Sequence, residues 1–144
     1  MNLSKYFTLE QMTFSATAVR KGIDNRATSE VLTNLTNLCK ALDKIKDLLG
    51  KPINITSGYR CPELNKAIGG AKNSQHIEGK AADIQVHGMT TEQLYQFIKV
   101  SGIEYCQLIQ EFDSWVHISY DASNNKKENL KAVKQNGKTV YMKY

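Results

Sequence analysis

The chain lacks the apolar run that a membrane helix needs and has few residues that could form a disulfide framework. Its 144 residues include only three cysteines and two prolines, and no segment approaches the ~20 apolar residues of a membrane span. Cys39, Cys61 and Cys106 are odd in number and show no CxxC or other metal-ligand spacing. We therefore expect no membrane span, no disulfide scaffold and no cysteine-based metal site.

The first residues, Met1 to Tyr6, contain no apolar stretch of signal-peptide length, so we expect synthesis in the cytoplasm without a signal peptide. Repeats, low-complexity tracts and linkers are also absent. With 41% hydrophobic and 23% charged residues, residues 1–144 are expected to form one globular domain and a monomer. The net charge of +5 favours anionic surroundings such as a bacterial wall, although simple solubility explains it equally well.

Residues 29–49 carry the clearest helical pattern. Apolar residues recur every three or four positions and form one stripe, which contains Leu32, Leu35, Leu38, Cys39, Leu42, Ile45, Leu48 and Leu49. Thr28 or Ser29 can cap the start of this helix, and Gly50 can end it. We expect this helix to lie across a sheet as the main core element.

Shorter helices are predicted from capping signals. Thr8 and Thr90 each begin a capping-box pattern, and Pro62 fits the first turn of a short helix closed by Gly69 and Gly70.

Alternation and turn residues predict strands at 52–59, 80–86, 105–112, 115–121 and 139–144. We expect an Asp113-Ser114 turn to join the third strand to the fourth, and loops at 71–79 and 121–136. Helices and hairpin-linked strands in this order predict an α+β fold, with a mainly antiparallel sheet and helices packed on one face.

Two segments, residues 74–83 and 111–117, hold most of the chain's potential chemistry. Strand alternation places Asp83 and His117, together with Glu111, on the sheet face opposite the predicted helices. His76 would approach that face from the preceding loop. The sequence therefore predicts a cleft on the polar face of the sheet.

Two imidazoles and one carboxylate suit a catalytic zinc site, which has three protein ligands and an open position for an acidified water. Glu111, if it is close to that water, can act as the general base. Taken singly, His76, Asp83 and His117 are each better explained as ordinary polar residues, but their spacing and common face make a joint zinc site an equally good explanation. His87 lies ~13 Å along the strand from Asp83, too far to share its metal.

Several motifs occur together along most of the chain: Tyr6-Phe7-Thr8-Leu9, Gly22-Ile23-Asp24-Asn25, Thr56-Ser57-Gly58-Tyr59-Arg60, Ser74-Gln75-His76 through Asp83, and Trp115-Val116-His117-Ile118-Ser119. With these motifs the chain resembles the zinc D-Ala-D-Ala carboxypeptidase superfamily, which shares its fold with the hedgehog signalling domain. The resemblance is greatest to its compact phage and bacterial wall-peptidase branch.

The resemblance implies that His76, Asp83 and His117 hold one Zn²⁺ ion. It also implies that Arg60 holds substrate and stabilises charge on the scissile carbonyl, where a fixed cation is effective. A structural salt bridge is the alternative role for Arg60.

The same resemblance implies that Ser74 and Trp115 contact substrate, although Ser74 could equally shape its loop. The base is less clearly indicated. Many members of the superfamily have an acidic residue three positions before the last histidine, where this chain has Ser114. Glu111, six positions before His117, matches the hedgehog and compact wall-peptidase arrangement. Asp113 is the competitor, and its position at the hairpin tip is typical of a turn residue.

The function implied by the resemblance is that of a zinc metallopeptidase, an endolysin-like carboxypeptidase or endopeptidase that hydrolyses amide bonds in peptidoglycan stem peptides or cross-links. Such an enzyme would act at the cell wall or in the periplasm. The alternative is a non-catalytic, zinc-containing binding module like the hedgehog domain. We expect no nucleic-acid partner, because the lysines are scattered and no recognition motif accompanies them.

Overall fold

The computed structural model describes all 144 residues and contains five helices and six strands. The helices are α1 (Leu9–Thr13), α2 (Ala16–Lys21), α3 (Ser29–Leu49), α4 (Pro62–Ala67) and α5 (Thr91–Lys99). The strands are β1 (Asn54–Ser57), β2 (Ala81–Gln85), β3 (Gln107–Glu111), β4 (Trp115–Ser119), β5 (Glu128–Gln135) and β6 (Lys138–Lys143). None of the helices combines the length and apolar composition that crossing a bilayer requires.

All six strands belong to one sheet, in the order β1-β2-β4-β3-β5-β6. Every neighbouring pair is antiparallel except β3 and β5, which run parallel. The predicted α+β fold with a mainly antiparallel sheet is therefore confirmed. The parallel pair arises because β5 returns to the sheet after the loop that follows β4.

The longest helix, α3, supplies one side of the core. The Thr28 hydroxyl accepts a hydrogen bond from the Val31 amide, and Gly50 ends the helix in a left-handed conformation, as the sequence indicated. The apolar stripe of α3 packs with α5 on one face of the sheet, whose core side chains are Ala82, Ile84, Leu108, Val116 and Ile118. Asp83, Glu111 and His117 alternate with these core residues along their strands and therefore lie on the opposite face.

Two elements were not predicted from the sequence. The first is α2, a helix of only six residues between Ser15 and Gly22. The second is β5, which lies in the segment assigned to a loop at 121–136. Only Ala132 is fully buried in β5, so its residues do not show the apolar alternation that identifies a half-buried strand.

The β3–β4 turn lies one residue earlier than predicted. Phe112 and Asp113 both have positive φ, 57° and 54°, and the Ser114 amide donates to the Glu111 carbonyl at 2.9 Å. This is the geometry of a two-residue type I′ hairpin turn. Its usual Asn-Gly signal is absent from the sequence, which explains the misplaced prediction.

The turn that follows β1 is attached to the N-terminal segment. The Tyr59 amide donates to the Met12 carbonyl at 2.7 Å. The Asn25 side chain donates to the carbonyls of Thr13 and Tyr59, and its oxygen accepts from the Cys61 amide. These bonds fix the turn, whose backbone contacts His76 on the polar side of the sheet.

Gly58 is required at this turn because a Cβ there would lie 2.3 Å from the Met12 carbonyl oxygen. Backbone atoms cannot rotate away, so we expect Gly58→Ala to cost about 3 kcal/mol, the upper end of typical overpacking. Gly102→Ala is the control: its backbone is left-handed but its surroundings are open, and it should cost only about 1 kcal/mol. Thermal melts of both variants test this, and equal losses of stability would contradict it.

Candidate metal centre

Three buried side chains converge on the polar face of the sheet. His76, Asp83 and His117 offer ligand atoms that all lie within 4.8 Å of one another. Asp83 Oδ1 is 3.3 Å from His76 Nε2 and 3.1 Å from His117 Nδ1. The two imidazole rings meet edge to face, with centroids 5.1 Å apart. The sequence-predicted cluster is therefore brought together.

Strand register explains two of these positions. Asp83 in β2 lies directly opposite His117 in β4, and directly opposed residues project to the same face of an antiparallel pair. Their neighbours in sequence, Ala82 and Ile84, point into the core on the other face. A shift of either strand by one residue would move its ligand to the helix-covered side.

The third side chain, His76, is oriented by the turn after β1. Its Nδ1 is 2.8 Å from the Gly58 carbonyl oxygen, and the Arg60 amide donates to the His76 carbonyl at 3.1 Å. A proton on Nδ1 leaves the lone pair of Nε2 directed at Asp83. Burial lowers the pKa of His76, which favours the neutral imidazole that a metal requires.

The donor set fits a tetrahedral metal. Metal–ligand distances of about 2.0–2.2 Å place tetrahedral ligand atoms about 3.3 Å apart, close to the separations of Asp83 Oδ1 from the two imidazoles. Burial opposes ionisation of Asp83, but the adjacent His117 and His76 imidazoles outweigh it and lower its pKa. Two imidazoles and an ionised carboxylate therefore offer one metal ion three ligands.

Arg60 borders the cluster and is held by three neighbours. Its Nε donates to Ser57 Oγ at 3.1 Å, one terminal nitrogen donates to Asn65 Oδ1 at 3.0 Å, and the other is 3.5 Å from Asp83 Oδ2. Burial lowers the pKa of Arg60 while Asp83 and Glu111 favour its charged form, and a guanidinium stays protonated in proteins. Arg60 therefore forms the salt bridge with Asp83 that was one expected role, and it also lies beside the cluster, as the substrate-binding role requires.

Asn65 is a site residue that was not recognised in the sequence. It is buried on α4, accepts from Arg60 and donates to the Ala71 carbonyl at 2.9 Å. It therefore links the arginine to the loop that leads to His76. In the sequence, Asn65 could have been noticed only as an asparagine within a predicted helix. If such an amide is buried, it needs specific hydrogen-bond partners.

Glu111 lies in the same cleft as the cluster, at the end of β3. Its Oε2 accepts a hydrogen bond of 2.5 Å from the indole N–H of Trp115, the residue opposite it in β4. Burial is the main factor that raises the pKa of Glu111, and the nearby Asp83 charge adds to it. Trp115 is thus placed to orient this carboxylate and also lines the cleft.

Asp113 and His87 are not brought into the site. Asp113 is exposed at the hairpin tip and accepts a hydrogen bond from Gln110, which also donates to Glu92 of α5 on the helix-covered side. His87 is exposed beyond the end of β2. Of the two candidate bases from the sequence, only Glu111 lines the cleft.

Ser74 forms part of the loop that carries His76. Its hydroxyl accepts a hydrogen bond from the His76 amide at 3.1 Å, a local contact that shapes the loop. Ser74 also lines the cleft, so its position is compatible with both roles suggested from the sequence.

The cleft around the cluster has a volume of about 620 Å³. Its far wall is formed by β5 and β6, through Glu128, Leu130 and Tyr141. Ala132 of β5 lies between Glu111 of β3 and Tyr141 of β6 and pairs with both. Only the small alanine side chain therefore separates Tyr141 from Glu111. These wall residues were missed because no sequence pattern indicates the register of the last two strands.

An α+β sheet whose polar face carries a buried His-Asp-His cluster, with a carboxylate and an arginine in the same cleft, has the composition of a metal-dependent hydrolase. Residues 5–119 match the sequence family described as Peptidase M15, so the chain belongs to the M15 peptidase family. M15 peptidases are metal-dependent, which agrees with the cluster. The search of curated proteins gave no match.

Metal binding should depend on all three side chains of the cluster. Replacing His76, Asp83 or His117 by Ala removes one of three ligands, and we expect zinc affinity to fall by roughly 100-fold or more. His87→Ala is the matched control and should leave affinity unchanged, since His87 is exposed and outside the cluster. Titration calorimetry and metal analysis measure both. Wild-type affinity in any of the three ligand variants would contradict the assignment.

The raised pKa of Glu111 predicts a pH-dependent stability. In metal-free protein the folded state binds this proton more tightly than the unfolded state, so stability falls as pH rises through the raised pKa. Below the ordinary pKa the carboxyl is neutral in both states. Glu111→Gln removes the ionisation and should raise the melting temperature at about pH 7 but not at about pH 4. A larger gain at the acidic pH would contradict this sign.

Proposed function

We propose that this chain is a zinc-dependent peptidase that hydrolyses amide bonds in the stem peptides or cross-links of bacterial peptidoglycan. The observation that carries the proposal is the placement of Glu111 and Arg60 in one cleft with the His76–Asp83–His117 cluster. Membership of the M15 family supports peptide hydrolysis. Two imidazoles and one carboxylate with an open cleft in front suit a catalytic rather than a closed structural zinc site.

The chemistry that zinc supplies at such a site is Lewis-acid activation of carbonyl groups and of water. In the proposed reaction Glu111 accepts a proton from the attacking water and later delivers it to the leaving amine. A carboxylate whose pKa is raised by burial accepts a proton from water more readily than an ordinary carboxylate, and its protonated form can then donate that proton to the amine. The indole of Trp115 holds the carboxylate in place.

Arg60 is placed to stabilise the negative charge that develops on the scissile carbonyl oxygen. Its contacts with Ser57, Asn65 and Asp83 fix the guanidinium but leave N–H donors free to face a substrate. A cation fixed before the reaction needs no reorganisation when the charge appears.

The second part of the proposal is that the substrate is peptidoglycan. It is supported by the motifs shared with wall peptidases and by the net charge of +5, which favours contact with anionic wall material. An endolysin-like or bacterial wall enzyme that acts at the wall or in the periplasm fits this substrate.

Glu111→Gln keeps the shape of the side chain but removes the base. We expect it to lower peptidoglycan hydrolysis by roughly 10²–10⁴-fold while zinc remains bound. Release of new amino groups, with mass spectrometry of the muropeptides, measures the reaction. Asp113→Asn is the matched control and should retain activity, because Asp113 faces the other side of the sheet.

Two outcomes would contradict the assignment. Full activity in Glu111→Gln with loss in Asp113→Asn would transfer the role of base to the turn residue. Metal-loaded wild-type protein that binds peptidoglycan without releasing amino groups would instead support the non-catalytic, hedgehog-like binding module.

A further inference from the structure

A second groove opens on the β1 side of the cluster. Its volume is about 630 Å³, and it lies between the α1–α2 connection and α4. Phe14 and Thr17 line one side, and Leu64 and Ile68 line the other. Neither the sequence motifs nor the family match assigns a role to this groove.

The second groove is continuous with the candidate active site. Arg60, Asp83 and Trp115 border both of them. From these three residues, one groove extends over β3, β5 and β6, and the other extends over β1 towards α4. Together they form one cleft across the sheet, with the cluster near its middle.

Two large apolar side chains in the second groove are left open to solvent. Phe14 is 67% exposed and Ile68 is 43% exposed. Each follows the last residue of a short helix, where only its backbone amide makes a helix-terminating hydrogen bond. Apolar side chains gathered at the rim of a cleft favour a ligand that covers them.

The second groove also has little means of capturing a free carboxylate. Arg60 is its only lysine or arginine, and the N–H donors that remain after its contacts with Ser57, Asn65 and Asp83 are the ones proposed to face the scissile carbonyl oxygen. An uncharged segment of peptide with small apolar side chains is the ligand that this lining suits.

We propose that the second groove is a substrate subsite, and that the enzyme cleaves internal amide bonds rather than removing a C-terminal residue. This proposal rests on the proposed peptidase function. Each groove has a volume typical of sites for ligands much larger than one small residue, so the peptide has room to continue on both sides of the scissile bond. The oxygen of water bonds to the carbonyl carbon, the C–N bond breaks, and the amine leaves with the proton.

The kinetic test compares Phe14→Ala and Ile68→Ala with Val100→Ala. Val100 is 79% exposed, follows α5 and lies outside both grooves. On cross-linked muropeptides, each groove variant should lower kcat/KM by about tenfold through lost apolar contact, and Val100→Ala should not change it. Phe14→Ala and Val100→Ala should keep the wild-type melting temperature, since their side chains are mostly exposed, whereas Ile68→Ala should lower it slightly because more than half of that side chain is buried.

The products provide the second readout. Mass spectrometry should show two peptide fragments that each contain more than one amino acid, from substrates with blocked and with free carboxyl ends alike. Release of a single amino acid as the only product, or unchanged kcat/KM in both groove variants, would overturn the proposal.

A binding measurement separates failure of this proposal from failure of the proposed function. Zinc-loaded Glu111→Gln protein is titrated with intact cross-linked muropeptides, with and without Phe14→Ala. A roughly tenfold loss of affinity on adding Phe14→Ala supports the subsite even if the wild type hydrolyses nothing. Unchanged affinity overturns the subsite even if the wild type is active.

Discussion

The buried carboxylate of Asp83 is the constraint that the surrounding structure has to satisfy. Its side chain is only 8% exposed, and an isolated charge in such a place is strongly destabilising. Two imidazoles and the Arg60 guanidinium surround it, and each is fixed from a different direction: His117 by strand register, His76 and Arg60 by the turn after β1. Removing any one of these partners leaves the carboxylate less compensated, which is the usual penalty of breaking a buried ion network.

The cluster could be predicted from the sequence because it depends on local rules. Strand alternation alone places Asp83 and His117 on the polar face, and the antiparallel pairing of β2 with β4 then brings them together. His76 was included because of its spacing in the loop just before the strand of Asp83, since a loop residue has no periodic pattern, and the family resemblance implied all three residues as ligands. The fold class was predicted correctly for the same reason. Hairpin-linked strands and a long amphipathic helix can each be recognised from the local sequence pattern.

The parts that were missed depend on contacts between segments far apart in sequence. The parallel pairing of β5 with β3 places Tyr141 in the cleft, and no local pattern reports that register. Asn65 was missed because its importance comes from Arg60 and the Ala71 carbonyl. The turn at Phe112 and Asp113 was misplaced because phenylalanine, unlike aspartate, is not typical at positive φ, yet this turn decides which acidic side chain faces the cluster.

The β5–β6 hairpin lies outside the stretch that matches the family, yet it forms a wall of the cleft. All three residues of the cluster lie within that stretch, so the metal centre and this wall are encoded in separate parts of the gene. Substitutions, insertions or replacement of the hairpin can therefore alter the shape of the cleft without touching the cluster. In this arrangement the C-terminal segment is free to vary while the residues of the cluster are kept.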